Sequence, residues 1–354
     1  MNIFLKIIAG NRDGKFARTG AITSAYLESL NRKLLLLALL LGATLLVAVF
    51  AVARGAYEIP IGCIFRALLG DADATAGVVI VNIRMPRVIA AILCGWGLSL
   101  SGLSIQSLLK NPLGSPSTLG ISQGAAFGAA AAIVVFGAEM FSVTAFAFGG
   151  AMAATAIILI LSGLKRLSAE AVILAGVALS SLFVSATILI QYLATETQLA
   201  MVVFWTFGDV ARSSWREIGL MAGAVILASL YLMFIRWDLN VLASGEEAAK
   251  GLGVNVGRIR VAGMVMAALI SAMATAFHGV IAFIGLIAPH MARRFVGDDH
   301  CLLIPFSSVL GALILLTADT IGRIIIGSGA LPVGVITSFL GAPMFLYLLV
   351  RGYR

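Results

Sequence analysis

Long apolar runs alternate with short polar, mostly basic connections from about residue 34 to the end of the chain. An α-helix needs about 20 apolar residues to cross the hydrocarbon layer of a bilayer, and most of the runs have that length. The pattern therefore predicts an all-α polytopic membrane protein with about ten transmembrane helices. The predicted spans are residues 34–53, 88–108, 118–136, 141–163, 171–193, 217–235, 259–280, 281–296, 302–326 and 332–351.

The predicted span at 281–296 is shorter than the others and carries Pro289 and His290 near its middle. Proline lacks the amide hydrogen that a helix interior uses, so we expect the helix to be broken there. The basic pair Arg293 and Arg294 follows and would anchor the cytoplasmic end of the segment. Short or interrupted segments are typical of transport proteins. We interpret this segment as a short gating or scaffold helix.

Composition excludes a soluble fold. Of the 354 residues, 61% are hydrophobic and only 11% are charged, which is too few to cover a globular exterior. The net charge of +8 would suggest nucleic acid in a soluble protein, but here we attribute it to basic cytoplasmic loops. With ten spans both termini lie on one side, and most of the 24 lysines and arginines then fall on that side. This distribution predicts an N-in, C-in topology in the cytoplasmic (inner) membrane.

The chain is predicted to consist of a polar cytoplasmic arm, residues 1–33, and a transmembrane domain, residues 34–354. The first apolar run starts too far from the N-terminus for an ordinary cleaved signal peptide, so we expect a retained first span. In the outer connection that follows, residues 61–69 are amphipathic and are predicted to lie on the membrane surface.

The longest cytoplasmic loop, at about 238–257, is predicted to contain a short helix. Ser244 and Glu247 have capping-box spacing, and the helix should end at Gly251 or Gly253. From the residues alone, this helix is either a solvated connector or a docking element for a cytoplasmic partner.

Several short motifs occur in order from about residue 80 to the C-terminus. They are IRMPR at 83–87, QSLLKNPLGSP at 106–116, LGISQGA at 119–125, LAGVAL at 174–179, the segment 281–300, Ala318-Asp319 with Arg323, LPVGVIT at 331–337 and GAP at 341–343. With this ordered set the chain resembles the permease subunits of bacterial ATP-binding-cassette (ABC) importers for iron–siderophores, haem and vitamin B12.

The resemblance implies the fold and the partners of a type II ABC importer permease. The partners would be a second permease (a homodimer or a homologous chain), two ATPase subunits, and a periplasmic or surface-tethered substrate-binding protein, together with membrane lipid and no nucleic acid. No Walker A pattern occurs in the sequence, so ATP and Mg²⁺ would be bound by the partner ATPase and this chain would bind no cofactor. It is thus expected to be a permease and not an enzyme.

Three outer arginines, Arg84, Arg87 and Arg323, match positions where the family receives glutamates of the binding protein. Complementary charge of this kind fixes the register of docking. The alternative is that they anchor helices at the membrane surface or pair with local acids. Asp319 and Arg323 are such a candidate pair, because they are four residues apart on one helix.

The resemblance also places a cytoplasmic gate and a surface that contacts the ATPase. The gate would be formed by Asn111, Leu113, Ser168 and Ala169, since small and polar side chains at a constriction open with slight helix tilting. The alternative for the gate is an ordinary helix end terminated by proline. The residues assigned to ATPase coupling are Glu246, Glu247, Ala249, Gly251 and Leu252.

The three histidines, His278, His290 and His300, could be imagined as ligands for haem or iron. Their spacing and the lack of neighbouring cysteine or carboxylate pairs favour a structural role, so no metal or catalytic residue is predicted. Three polar residues near the outer end of the fifth predicted span could line the entrance, although the sequence does not orient them. These are Gln191, Glu196 and Asp209.

The function predicted is import of an iron–siderophore, with haem or cobalamin as alternative cargo. A rival from another class is a secondary transporter driven by an ion gradient. Such a transporter needs acidic side chains buried within its spans. Asp319 is the one convincing candidate, and an arginine follows it on the same helix.

Overall fold

The computed structural model of the chain describes residues 14–54, 77–137, 139–165, 169–325 and 331–350. These residues form α-helices and no β-strand. A π-helical segment, Val79–Arg84, precedes α2, and a 3₁₀ turn, Val210–Arg212, precedes α7. The thirteen α-helices of the described residues are α1 Gly14–Ala53, α2 Met85–Leu109, α3 Ile121–Phe136, α4 Met140–Lys165, α5 Ala169–Leu193, α6 Glu196–Thr206, α7 Trp215–Phe234, α8 Arg236–Ala243, α9 Glu246–Gly251, α10 Val256–His278, α11 Ile284–Val296, α12 His300–Ile325 and α13 Val333–Val350.

The chain divides into two compact units, Met1–Gly42 and Ala43–Arg354. The described part of the first unit is the beginning of α1, where leucines such as Leu35 are exposed. α1 runs through the predicted boundary at residue 33 without interruption, so the described end of the predicted arm and the first span belong to one helix. Residues 1–13 and the amphipathic piece predicted at 61–69 lie outside the described residues.

Seven helices of the described residues are long and apolar enough to cross a membrane: α1, α2, α4, α5, α7, α10 and α12. α3 and α13 are apolar but shorter, and α11 has 13 residues. Each of the ten predicted spans coincides with one of these ten helices. The all-α membrane architecture is thereby confirmed, while the number of crossings and the orientation of the termini remain predictions.

Helix α2 lies at the centre of the second unit and packs against α7, α10, α11 and α12. Two glycines bring its backbone against its neighbours. A methyl group at Gly95 would overlap the carbonyl group of Gly311 in α12, and one at Gly102 would overlap that of Gly285 in α11. Small residues are the usual means of close helix packing in lipid, where apolar burial supplies no driving force between helices.

Serine hydroxyls on α2 join it to the helices that it contacts. Ser99 Oγ donates to the backbone carbonyl of Ser307 in α12 at 2.7 Å, and Ser101 Oγ donates to that of Ala267 in α10 at 2.6 Å. All four residues are buried or nearly so. An unsatisfied hydroxyl is costly in this environment, so these bonds fix both the crossing points and the rotation of α2.

The break expected at Pro289 is wrong, because α11 runs through that proline without interruption. Pro289 has no amide hydrogen for the carbonyl of Gly285, one turn earlier. The side chain of Gln106 from α2 supplies the missing donor, with Nε2 at 3.1 Å from that carbonyl oxygen. The discontinuity lies instead at 279–283, where Gly279 and Phe283 have positive φ values of 77° and 68°.

Candidate functional site

The three arginines predicted to dock a binding protein lie together with two carboxylates, and we call this group the arginine cluster: Arg84, Arg87, Arg323, Asp319 and Asp209. The π-helical segment places the first of them. Pro86 cannot donate an amide hydrogen bond, and the amide of Met85 bonds the carbonyl of Ile80, five residues back. This wider turn sets the position of Arg84 immediately before α2 begins.

Two arginines of the cluster cap the C-terminal end of α1. Arg84 Nη1 donates to the carbonyls of Val52 at 2.6 Å and Ala53 at 3.0 Å, and Arg323 Nη1 donates to that of Ala51 at 3.0 Å. The last four carbonyls of a helix have no partner within it, and the helix dipole favours a cation at this end. Arg84 and Arg323 therefore fasten α1 to α2 and α12.

The remaining contacts of the cluster centre on Asp319, which is fully buried in α12. Arg87 Nε and Nη2 donate to its carboxylate at 3.0 and 2.8 Å, and Arg323 Nε lies 3.2 Å from the second oxygen. The predicted pair of Asp319 and Arg323 is confirmed. The bidentate contact with Arg87, 232 residues away, was not foreseen.

Asp209 completes the cluster at its more exposed side, with its carboxylate 3.9 Å from Arg87 Nη2. Its backbone amide donates to the carbonyl of His278 at 2.7 Å, and its Oδ1 caps the 3₁₀ turn through the amide of Ala211. Burial lowers the pKa of Arg212 in that turn, and the Asp209 carboxylate offsets part of the shift. Asp209 is thus held by its own hydrogen bonds beside two cations, Arg87 and Arg212.

The other two residues considered for the entrance do not join the cluster. Glu196 begins α6, and Gln191 lies in the last turn of α5. Neither forms a hydrogen bond or an ion pair with the arginine cluster within the described part of the chain. Of the three candidates, the structure thus brings only Asp209 to the arginines.

The predicted gate residues lie at helix ends. Asn111 follows Lys110, which closes α2 with a positive φ of 48°, and Asn111 Oδ1 accepts the amide of Leu113 at 2.9 Å. Ala169 begins α5, and Ser168 lies outside the described residues. Asn111 uses its side chain to shape the turn after α2, so the local geometry is accounted for without a gate. The gate remains a prediction.

The loop predicted to couple to an ATPase contains two short helices, α8 and α9. α9 ends at Gly251, as predicted. The capping role of Ser244 is wrong: Ser244 has helical backbone angles and closes α8, and the residue before α9 is Gly245, which provides no side-chain cap. Gly245 has a φ of 128°, a value that suits glycine and turns the chain sharply between the two helices.

The five residues assigned to coupling differ in exposure. Ala249 is fully buried, so its assignment to a contact surface is corrected: it supports the loop from within. Glu246 is half-buried and forms an ion pair with Arg260, near the start of α10. That ion pair ties the loop to a long membrane helix. The exposed members are Glu247, Gly251 and Leu252.

Two of the histidines have protein partners at both ring nitrogens, which supports their structural interpretation. His278 lies 3.1 Å from the carbonyl of Ala274 and 2.9 Å from Ser213 Oγ. His300 lies 2.7 Å from Asn240 Oδ1 and 2.8 Å from an α2 serine hydroxyl. Across the described ranges, no three His, Cys, Asp or Glu side chains are grouped so that they could hold a metal ion.

Comparison with known proteins agrees with this architecture. Residues 43–351 match the FecCD transport family. The chain belongs to this family. The matched residues include the whole arginine cluster and both loop helices, so each candidate site described above lies within the FecCD region.

Relatives of this FecCD family chain are similar over most of their length. A putative ABC transporter permease protein of Methanocaldococcus jannaschii is 47% identical, over 91% of this chain and 96% of that one. A hemin transport system permease protein of Yersinia pestis is 37% identical, over 76% and 82%. A solved inward-facing conformation of a putative metal-chelate type ABC transporter is 30% identical, with a TM-score of 0.80 over 90% and 99%. The chain is therefore a multi-pass membrane permease of the ABC importer class.

Proposed function

We propose that this FecCD family permease carries an iron chelate, of the iron–siderophore kind, across the cytoplasmic membrane. The observation that carries the proposal is the fold, which superposes over 90% of the chain on a transporter described as of metal-chelate type. Haem and cobalamin are the second candidates for cargo, because a hemin permease and a cobalamin permease are each 37% identical to this chain.

The energy for transport would come from two separate ATPase subunits that bind the exposed face of α9. Glu247 and Leu252 present a charge and a large apolar side chain there, and Leu252 is 73% exposed. The buried Ala249 and the ion pair between Glu246 and Arg260 support that face from behind. A displacement of α9 would be transmitted through the ion pair with Arg260 to α10. Because α10 packs against α2, it would then be transmitted to α2. Shifting of packed helices is a common way to alternate access.

A substrate-binding protein would deliver the cargo at the arginine cluster. The cluster contains three guanidinium groups and two carboxylates, so one positive charge remains to attract an acidic partner. Its arginines already bind α1 and α12. Docking at this point would therefore act directly on the ends of two membrane helices. The transporter would contain two permease chains, either identical or homologous.

An ion-gradient transporter is less well supported. Its coupling acid would have to take up and release a proton or sodium ion within the membrane. The buried Asp319 is already engaged by Arg87 and Arg323. These contacts are those of a structural ion pair, which favours a role for Asp319 in holding the helices together over a role in ion exchange.

Uptake by proteoliposomes that contain the permease and its ATPase tests the proposal. With binding protein outside and Mg-ATP inside, we expect uptake of a ferric siderophore that stops when ATP is replaced by a non-hydrolysable analogue. Parallel assays with haem and cobalamin identify the cargo. Uptake that persists without ATP and follows a proton or sodium gradient would refute the importer assignment.

Docking is tested separately by binding-protein affinity. Arg87→Glu should weaken binding at least about tenfold, because it reverses one charge of the cluster. Arg216→Glu is the matched control, since Arg216 is exposed and lies outside the cluster. Arg84→Lys keeps the charge and should bind nearly as the wild type does. Normal binding by a folded Arg87→Glu protein would show that the docking assignment is wrong.

A further inference from the structure

A basic cavity of about 490 Å³ lies between the end of α2, helix α8, helix α11 and the start of α12. Its wall contains the cations Lys110, Arg293 and Arg294, and one carboxylate, that of Asp298. A water molecule takes about 30 Å³ in the liquid, so the space equals that of roughly 16 waters. The cavity is large enough for a group of the size of glycerophosphate.

The positive charge of the cavity is only partly balanced. Arg293 bonds Gln106 Oε1, and its Nε lies 3.4 Å from Asp298 Oδ1. Gln106 is 2% exposed, so the guanidinium of Arg293 is held by a side chain that is itself locked in the core. Lys110 and Arg294 have no ion-pair partner in the part of the chain that the structure describes. The cavity is therefore lined by Lys110 and Arg294, two cations without an ion-pair partner among the described residues, and by the guanidinium of Arg293, whose orientation is fixed by Gln106.

The position of the cavity indicates what fills it. α2 and α12 are both candidate membrane spans, and the cavity is lined by the last turn of one and the first residue of the other, His300. It therefore lies at the depth where spans end, which is the depth of lipid head groups. Basic pockets between membrane helices at this level suit anionic head groups.

We propose that this cavity binds a phosphoryl oxyanion, supplied in the membrane by the phosphodiester head group of an acidic phospholipid. Arg293 contacts the phosphoryl oxygens from the base of the site, while Lys110 and Arg294 close over it from the more exposed side. Leu239 and Ala243 of α8 line the same cavity. A bound lipid would thus rest against the loop that is proposed to couple to the ATPase.

The test uses the full-length permease, delipidated in a neutral detergent. Dioleoyl phosphatidylglycerol, dioleoyl phosphatidylcholine and inorganic phosphate are added separately, and bound lipid is counted by native mass spectrometry while Tm is followed by tryptophan fluorescence. We expect phosphatidylglycerol to stay bound and to raise Tm, phosphatidylcholine to do neither, and inorganic phosphate to compete only at high concentration.

The variants remove one charge each. Lys110→Asn suits the positive φ at that position, and Arg294→Gln keeps an amide of similar length. Each should reduce the affinity for phosphatidylglycerol about fivefold, the equivalent of about 1 kcal/mol per cation beside an anionic lipid. Arg294→Lys should retain binding. Arg258→Gln is the control, because Arg258 is exposed and lies outside the cavity.

The outcomes are distinct. Selective binding of phosphatidylglycerol that is weakened about fivefold in both charge-removing variants and unchanged in Arg258→Gln supports the site. Equal binding of the two lipids overturns it, as does unchanged affinity in variants that elute as monodisperse protein with the Tm of the wild type. Stabilisation by inorganic phosphate at the level reached with phosphatidylglycerol would assign the site to a soluble oxyanion and overturn the lipid assignment.

Discussion

Substitution of Asp319 by asparagine should be among the most destabilising single changes in the protein. The carboxylate is 0% exposed, and the side chains of its two partners, Arg87 and Arg323, are 12% and 11% exposed. Asparagine keeps the size of the side chain but leaves Arg323 buried without a counter-charge, and Arg87 keeps only the Asp209 carboxylate, 3.9 Å away. Breaking a buried ion pair by removing one partner costs about 3–5 kcal/mol. We expect a loss in this range.

The assay is thermal unfolding of the purified permease in one detergent, with denaturant titration of the same samples for the free energy. At an unfolding entropy of about 2.1 cal/mol/K per residue, 1 kcal/mol shifts Tm by about 1.3 °C in a chain of 354 residues. Asp319→Asn should therefore lower Tm by about 4–7 °C. The control is Asp298→Asn. Asp298 also pairs with an arginine, but its side chain is 79% exposed, so the loss should stay below about 1 kcal/mol.

A double-mutant cycle shows whether the cost comes from the ion pair. Arg87→Gln alone leaves Asp319 with one partner, while the double variant Arg87→Gln/Asp319→Asn removes a cation and the anion together. The double variant should therefore lose at least about 1 kcal/mol less than the sum of the two single losses. A loss below about 1 kcal/mol for Asp319→Asn, or strictly additive losses, would refute the reasoning that the cluster is held by this carboxylate.

Three further changes have expected outcomes. Gly102→Ala should lower Tm by several degrees because its methyl group would overlap a backbone carbonyl of α11, whereas Gly219→Ala, with open space around it, should not; thermal unfolding of both variants decides. Gln106→Leu should lower the free energy of unfolding by about 1–3 kcal/mol, because the carbonyl of Gly285, which Pro289 leaves without an amide donor, would lose the donor supplied by Gln106. An unchanged midpoint in denaturant titration would contradict that role. Glu247→Lys should abolish co-purification of the ATPase at unchanged Tm, while Glu139→Lys, also exposed but outside the loop, should leave it intact.

The helices could be predicted from the sequence because the membrane imposes a simple length rule on apolar runs. All ten predicted spans coincide with helices, including the short α11. The predicted break of α11 was wrong because a residue far away in the sequence overrides the local effect of proline. Pro289 breaks a helix only when nothing replaces its missing amide, and here Gln106, 183 residues earlier, supplies a donor to the carbonyl of Gly285. No local pattern carries that information.

The candidate sites were predictable as sets of residues but not as contacts. The order of the motifs identified Arg84, Arg87 and Arg323, and the four-residue spacing identified the pair of Asp319 and Arg323. That two of the arginines cap α1 could not be read from the sequence, because it depends on how three helices meet. Ser244 gives a second example, within a few residues of sequence. Its spacing to a glutamate fits a helix cap, but its backbone closes the preceding helix, α8.

The separation of Arg87 and Asp319 along the chain has a consequence for biosynthesis. Translation at 5–20 residues per second places the 232 residues between them roughly 10–50 s apart. During that interval α2 is already made, but the buried carboxylate of Asp319, to which Arg87 donates hydrogen bonds, does not yet exist. Of the two acidic partners of Arg87, only the more distant Asp209 is made earlier. The nascent chain must therefore keep Arg87 near the lipid surface or in the insertion machinery until α12 emerges. The arginine cluster is thus one of the last parts of the permease to form, and in a chain truncated before α12 Arg87 would lack its buried partner and keep only Asp209, 3.9 Å away.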